Sequence, residues 1–452
     1  MQVAAGIAAF VHALDFERVP AEVAEKTRVC LVNGYGIALG GHDTPYAPVA
    51  RLAALNIYGE QREGATMLGD GRKTSVAGAC LTNSALFHGR AQEDTCGAAH
   101  LGTILIPMLT ALIEARGLTT ERLLAALLAG YEAGGVLEQA YSGKTTMAGF
   151  RATPLYGTIA AAAGAGKLLG LDREQLTAAI ANAASFTGGI LQSFADGTDE
   201  WRYQVGVAAQ LGLTAAELAR SGSVSAPNAI EGKSGFARSF AKVDCDPQAL
   251  LARLGQDWSV LRVTFKPFPV CAFNQTPVTA ALALRERLAG ATIRHCAVRM
   301  NPFETGYAGM DAVGPFNSIS GTLMSIPFCI AATLLYGVPD MRRMTTYDDP
   351  AVAGLIHRIE LISDESVPTL CCKIEVLTED GRQIVQDQTM SYADYAYDRA
   401  GASALVRRIG NEQGVPATAY DKIESFVERL PQASITEVID AFRLLPATST
   451  KR

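Results

Sequence analysis

A chain of 452 residues, 49% hydrophobic and 19% charged, is too long for one ordinary core and too apolar to be disordered, so two domains are expected. Its formal net charge of -6 excludes a global basic field for nucleic acid, and an anionic ligand has to be held by a local cluster. Nine scattered cysteines without a C-x-x-C spacing argue against a disulfide framework or an iron–sulfur array and for buried thiols in a reducing cytoplasm.

The opening MQVAAGIAAFVHALDFERVP has no cationic leader and no small-residue cleavage site, and its apolar positions recur as in an amphipathic helix ending before Pro20. Helical periodicity then predicts helices at 21–39, 75–92, 103–116, 120–139, 173–184 and 203–221, with Ala, Leu and Gly on the buried faces. Apolar stretches such as 123–128 are soon broken by Gly or charge, so no membrane span is expected.

Two places in this helical half invite chemistry. His100 lies just before the helix predicted from Thr103, where a histidine either binds a carboxylate and moves protons near neutral pH or merely caps the helix. Arg151 precedes a helix of small residues, with Thr153 expected as its cap and Pro154 in its first turn. It is either an anion ligand or an ordinary ion-pairing arginine. Gly170 ends that helix, and Asp172 with Gln175 forms a capping-box pattern for the next.

The texture changes at FKPFPVCAFNQTP, residues 265–277, followed by a helix at 278–288. Strands are predicted within 291–301, 356–364 and 371–390, with Glu379-Asp380-Gly381 as a hairpin turn, and a helix at 324–335 lies among them. Helices at 403–410, 419–430 and 436–444 close the chain. The expected organisation is an all-α domain at 1–263, a smaller α+β domain at 264–400, and C-terminal helices at 401–452 returning to the first domain. Lys266, between Phe265 and Pro267, is a carboxylate ligand, a base or a snorkelling lysine.

Familiar cofactor motifs fail on their chemistry. AAAAGAGKL has Ala161 at the first glycine of a phosphate loop and Leu168 in place of the magnesium-binding hydroxyl, and no dinucleotide fingerprint follows a strand. His12, His42, His88, His100, His295 and His357 show no metal-ligand spacing. Chemistry without metal or cofactor is therefore expected.

LVNGYGIALGG, DTCGAAHLGTILIPMLTALIEARG, GYEAGG, GFRATPLYGTIAAAAGAGKLLGLDREQLTAAIANAAS, VGVAAQLGLTAAELARSG, FKPFPVCAFNQ and SIPFCIAATLLYG together resemble the MmgE/PrpD family over nearly the whole chain. That family includes 2-methylcitrate dehydratase, cis-aconitate decarboxylase and iminodisuccinate epimerase. The resemblance implies a mainly α fold, a large all-α domain with a smaller α+β lid, and a homodimer. It matches His100 to the histidine of the family's H-P-G segment and Lys266 to the lysine of its K-P-Y-P-like segment. Elsewhere the chain departs from the decarboxylase-like pattern: Arg151 and Cys271 replace histidines, Trp201 a lysine, Phe328 a tyrosine and Ala91 an aspartate.

On this reading His100 is the leading acid/base, Lys266 a second acid/base or carboxylate ligand, and Cys271 a proton donor or simply a buried thiol. Arg151 and Arg202 clamp carboxylates, while Asp94 and Thr95 orient His100, unless Asp94 caps or pairs locally. The implied activity is a lyase acting on a small di- or polycarboxylate by proton abstraction beside a carboxylate. An epimerase is the alternative, and a non-catalytic carboxylate-binding protein a further one. No nucleic acid or membrane partner is expected.

Overall fold

In the computed structural model, which describes residues 2–446, the chain forms two compact units. One comprises residues 2–190, Arg202–Phe265 and residues 397–446; the other comprises Leu191–Trp201 and Lys266–Ala396. The fold is mainly α, with small sheets only.

The first unit is built from helices α1 (Val3–Ala13), α2 (Ala21–Gly40), α3 (Tyr46–Tyr58), α4 (Val76–Phe87), α5 (Gly102–Arg116), α6 (Leu123–Met147), α7 (Ala152–Leu169), α8 (Arg173–Phe186) and, from Arg202 on, α9 (Trp201–Arg220). Small residues explain how closely they pack. A Cβ added at Gly212 of α9 would lie 2.3 Å from the Ala161 Cβ and 2.6 Å from the Thr158 carbonyl oxygen of α7. A side chain there forces the helices apart, at about 1–3 kcal/mol. Local signals end the helices cleanly: Gly170 adopts φ 71 after α7, and Asp172 with Gln175 makes both bonds of a capping box at α8. The helices Arg399–Gln413 and Ala417–Glu428 pack on α2, and Ile435–Phe442 packs on α5.

Two expectations need correction. The helix expected at 75–92 stops at Phe87, where the His88 and Gly89 amides turn back to the Ser84 and Leu86 carbonyls and Ala91 enters the left-handed region at φ 56. The residues freed from the helix, 88–94, become an irregular turn. Thr153 is not the cap of α7: Arg151 holds that position without a capping bond from its side chain, and Thr153 spends its hydroxyl elsewhere.

Two short antiparallel pairs also belong to this unit. One is β1 (Ala65–Thr66) with β2 (Lys73–Thr74), the other β3 (Thr95–Cys96) with β4 (Val263–Thr264). The second unit contains a four-stranded sheet of β5 (Ile293–Met300), β6 (Ile359–Ser363), β7 (Cys371–Thr378) and β8 (Gln383–Thr389), in the order β6-β5-β7-β8. β5 runs parallel to β6 and antiparallel to β7, and the expected hairpin joins β7 to β8. The helix Gln275–Leu288 covers this sheet and packs on Ile326–Tyr336.

Candidate active site

Two buried arginines hold the 88–94 turn, Arg202 through its backbone and Arg90 through side chains. Arg202, fully buried at the start of α9, donates from Nη1 to the His88 and Gly89 carbonyl oxygens at 2.9 and 2.5 Å and lies over the Tyr46 ring. Arg90 reaches Gln92 Oε1 at 2.9 Å and Glu412 Oε2 at 2.8 Å. Arg202, expected from the sequence to clamp a substrate, thus has this nitrogen engaged in positioning His88.

His88 is the residue this turn presents. Arg151 Nη2 donates to His88 Nε2 at 2.7 Å, and Arg151 Nη1 donates to Gln204 Oε1 at 3.2 Å. A guanidinium only donates, so His88 Nε2 accepts and the neutral ring carries its proton on Nδ1, 3.1 Å from Glu93 Oε2. Complete burial disfavours the imidazolium and holds the His88 pKa down at about 4, against the pull of Glu93.

Glu93 bridges to the second histidine. Its Oε1 lies 3.4 Å from His100 Nδ1, which itself donates to the Asp94 carbonyl oxygen at 2.8 Å. The two rings sit 5.5 Å apart. A backbone carbonyl only accepts, so His100 Nδ1 carries a proton, and in the neutral ring Nε2 is the basic nitrogen. His100 is further fixed by its own amide, which donates to Thr153 Oγ1 at 3.1 Å, and by Thr103 Oγ1, which donates to its carbonyl. With 17% of its side chain exposed, it is more open than His88 or Glu93.

Beneath this pair, Asp94 Oδ2 accepts the Tyr131 hydroxyl at 2.5 Å. Gly102 makes room for that contact, since a Cβ there would meet Asp94 Oδ1 at 2.6 Å and the Tyr131 hydroxyl at 2.7 Å. Thr95 pairs its hydroxyl with that of Thr264 at 2.6 Å across β3 and β4. The structure therefore brings His100, Asp94 and Arg151 into one polar cluster, with Thr95 on the strand directly after Asp94.

Lys266 and Cys271 belong to the second unit. Lys266 is buried, and its charge acts on Cys271, whose thiol burial nevertheless pushes up to about 11. Trp201, also of that unit, donates its indole N–H to Ser320 Oγ at 2.9 Å, and Phe328 packs edge-on against Phe316. Among the described residues, no group of His, Cys, Asp and Glu forms a candidate metal site, and no helix is long and apolar enough to cross a membrane.

Sequence models of the MmgE/PrpD N-terminal domain and C-terminal domain match residues 5–247 and 268–394. The chain belongs to the MmgE/PrpD family. A cis-aconitate decarboxylase of Aspergillus terreus is 25% identical over 383 residues, 79% of this chain and 77% of its own length. A cis-aconitate decarboxylase-like protein, oryM, of Aspergillus oryzae is 27% identical over 411 residues, covering 84% of this chain and 85% of its own. The human cis-aconitate decarboxylase is 29% identical over 218 residues, 46% of this chain and 44% of its own.

Sequence reasoning missed His88, Glu93 and Tyr131. The helical pattern ran through 75–92 and hid His88 on a buried face. The useful signal was His88-Gly89, a helix-stopping pair a few residues before the acidic Glu93-Asp94 and before His100.

Proposed function

We propose that this chain is a lyase of small di- or polycarboxylates that works without a cofactor, by removing a proton beside a carboxylate and then losing water or carbon dioxide. The observation that carries the reading is the His100 Nδ1–H bond to the Asp94 carbonyl oxygen, which in the neutral ring makes Nε2 the base. Membership of the family and relatives named cis-aconitate decarboxylase support an aconitate-like or citrate-like acid as substrate.

In this mechanism His100 Nε2 takes the C–H proton. Negative charge then spreads into the adjacent carboxylate, where cations stabilise it. The Arg151 guanidinium, held on His88 and Gln204, binds one carboxylate; Lys266 binds a second or returns a proton. Asp94 and Thr95 hold the strand from which His100 is oriented, and Cys271 is the remaining proton donor of the proposal. The proposal includes a cytoplasmic homodimer, whose mass light scattering would report.

One observation favours a second reading, an epimerase. Arg151 occupies the place of a proton-exchanging histidine and grips a histidine that burial keeps neutral, so proton removal and return need not be followed by elimination. Proton NMR in deuterated water, with cis-aconitate, citrate-like acids and iminodisuccinate-like acids, separates these outcomes. A new alkene or a decarboxylated product supports the lyase, and deuterium beside a carboxylate with inversion supports the epimerase. Saturable binding without exchange or turnover would leave a carboxylate-binding protein.

A further inference from the structure

The mechanism above gives Glu93 no task, although its side chain is only 2% exposed and lies between the two histidines of the cluster. A buried carboxylate is costly unless neighbouring groups support its charge. His88 supplies part of that support. Arg151 Nη2 donates to His88 Nε2 at 2.7 Å, so the neutral His88 ring has its N–H on Nδ1, 3.1 Å from Glu93 Oε2. Complete burial keeps this ring from protonating, so it faces Glu93 as an N–H dipole and not as a second cation. The other oxygen, Oε1, lies 3.4 Å from His100 Nδ1.

His100 already gives its Nδ1 proton to the Asp94 carbonyl oxygen at 2.8 Å, so Glu93 is not needed to fix the ring. What it adds is charge. A neutral ring gains little from a carboxylate at that distance, whereas an imidazolium gains an opposite charge in contact range. The surroundings make this gain matter. Arg151 from the start of α7 and Arg202 from the start of α9 act on the cluster as cations, and Arg90 lies on the turn itself. Asp94 directs its carboxylate to Tyr131 of α6 at 2.5 Å, with Lys26 and Cys30 of α2 bearing on it. Thr103 of α5 and Thr153 of α7 meet His100 only through hydroxyls on its backbone. We infer that Glu93 is a positioning residue for the proposed base: its buried carboxylate, faced by the neutral His88 ring on one side, stabilises the imidazolium that His100 becomes on accepting a proton at Nε2. This role rests on His100 as the base, and its first readout needs no turnover.

The test follows protonation of the His100 ring by 15N NMR in histidine-labelled protein without ligand, assigned through His100→Gln, from pH 4.5 to 9. Glu93→Gln, which keeps the shape and removes the charge, should make protonation of His100 about tenfold less favourable or more, moving its titration down by about one pH unit or more. Glu93→Asp, which keeps the charge on a shorter stem, should recover more than half of that loss. An unmoved titration in Glu93→Gln, or a drop as large in Glu93→Asp, overturns the inference and leaves Glu93 a packing residue. If Glu93→Gln does not fold, the wild type decides. With glutamate side chains 13C-labelled and Glu93 assigned through Glu93→Asp, its carboxyl must be ionised at the pH where His100 takes up its proton, and a protonated Glu93 there overturns the inference. On an acid that turns over, Glu93→Gln should lower kcat about tenfold or more and leave KM within about threefold. A change confined to KM would place Glu93 in binding and overturn the inference. Failure of all acids tested to turn over would count against the proposed function, whereas the ligand-free titration would still decide the link between Glu93 and His100.

Discussion

The turn at 88–100 and the segment at 266–275 are both irregular and rich in polar residues, and they are held in opposite ways. In the first, titratable groups grip one another: Arg151 holds His88, and Glu93 lies between His88 and His100. In the second, neutral amides shape the backbone. Gln275 bonds the amide and carbonyl of Phe268 and the Val270 carbonyl, while Asn274 donates to the Leu323 and Met324 carbonyls. Amides do not titrate, so the shape of the second segment is indifferent to pH, whereas the first depends on where each proton resides. Charge-changing substitutions and pH should therefore act through the first.

The largest expected effect is at His100. His100→Gln should lower kcat by about 10²–10⁴-fold, the span associated with a positioned acid/base, while leaving substrate binding within a few-fold. Isothermal titration beside steady-state kinetics separates the two. A variant of full activity would remove the base from the 88–100 turn and break the comparison.

Next in size is acid stability. His88 has its folded pKa depressed to about 4, so an unfolded histidine, with a pKa of about 6.5, binds a proton that the folded one refuses. Its contribution is fully present above pH 6.5 and is lost as pH falls toward 4, amounting to about 3 kcal/mol. Denaturant titrations at pH 7 and pH 4.5 should show that loss, and His88→Asn should have a shallower slope. An identical slope in both proteins would mean that His88 is not the group resisting protonation.

Arg151 follows. Removing a charge-assisted contact costs about 1.5–3 kcal/mol, so Arg151→Met should raise KM about 10- to 100-fold. Because Arg151 also holds His88, kcat should fall too, though by less than in His100→Gln. A fall confined to kcat would assign Arg151 to shaping the cluster and not to binding.

These expectations mark how much the sequence disclosed. The helical scaffold was legible because its cues are local: Gly170 at a left-handed stop, Asp172 with Gln175 as a box, and the turn between β7 and β8. His100 and Arg151 stood out as polar residues at helix starts. Their connection was not legible, because it runs through His88 and Glu93, which meet only where α4 ends early and the chain doubles back. The Thr153 hydroxyl illustrates the same limit. The local pattern suggested a helix cap, but the hydroxyl is taken by the His100 amide, 53 residues away in the chain. Thr153→Val should therefore leave that amide unsatisfied, cost about 1–2 kcal/mol in denaturant unfolding, and disturb His100 more than α7.

The smallest effect sharpens the other side of the comparison. Cys271 lies in the amide-shaped segment, and burial outweighs the nearby Lys266 charge, holding its thiol up near 11. The thiolate is the reactive form, so at pH 8 Cys271 should alkylate about a hundredfold more slowly than an ordinary thiol of pKa about 8.5. Iodoacetamide labelling followed by peptide mass spectrometry measures this, with small-molecule thiol as the reference. Slow labelling that accelerates toward pH 10 fits a protonated donor in a segment without a strong charged partner. Fast labelling at pH 8 would show that Lys266 governs the thiol after all, and the second segment would then share the electrostatic character of the first.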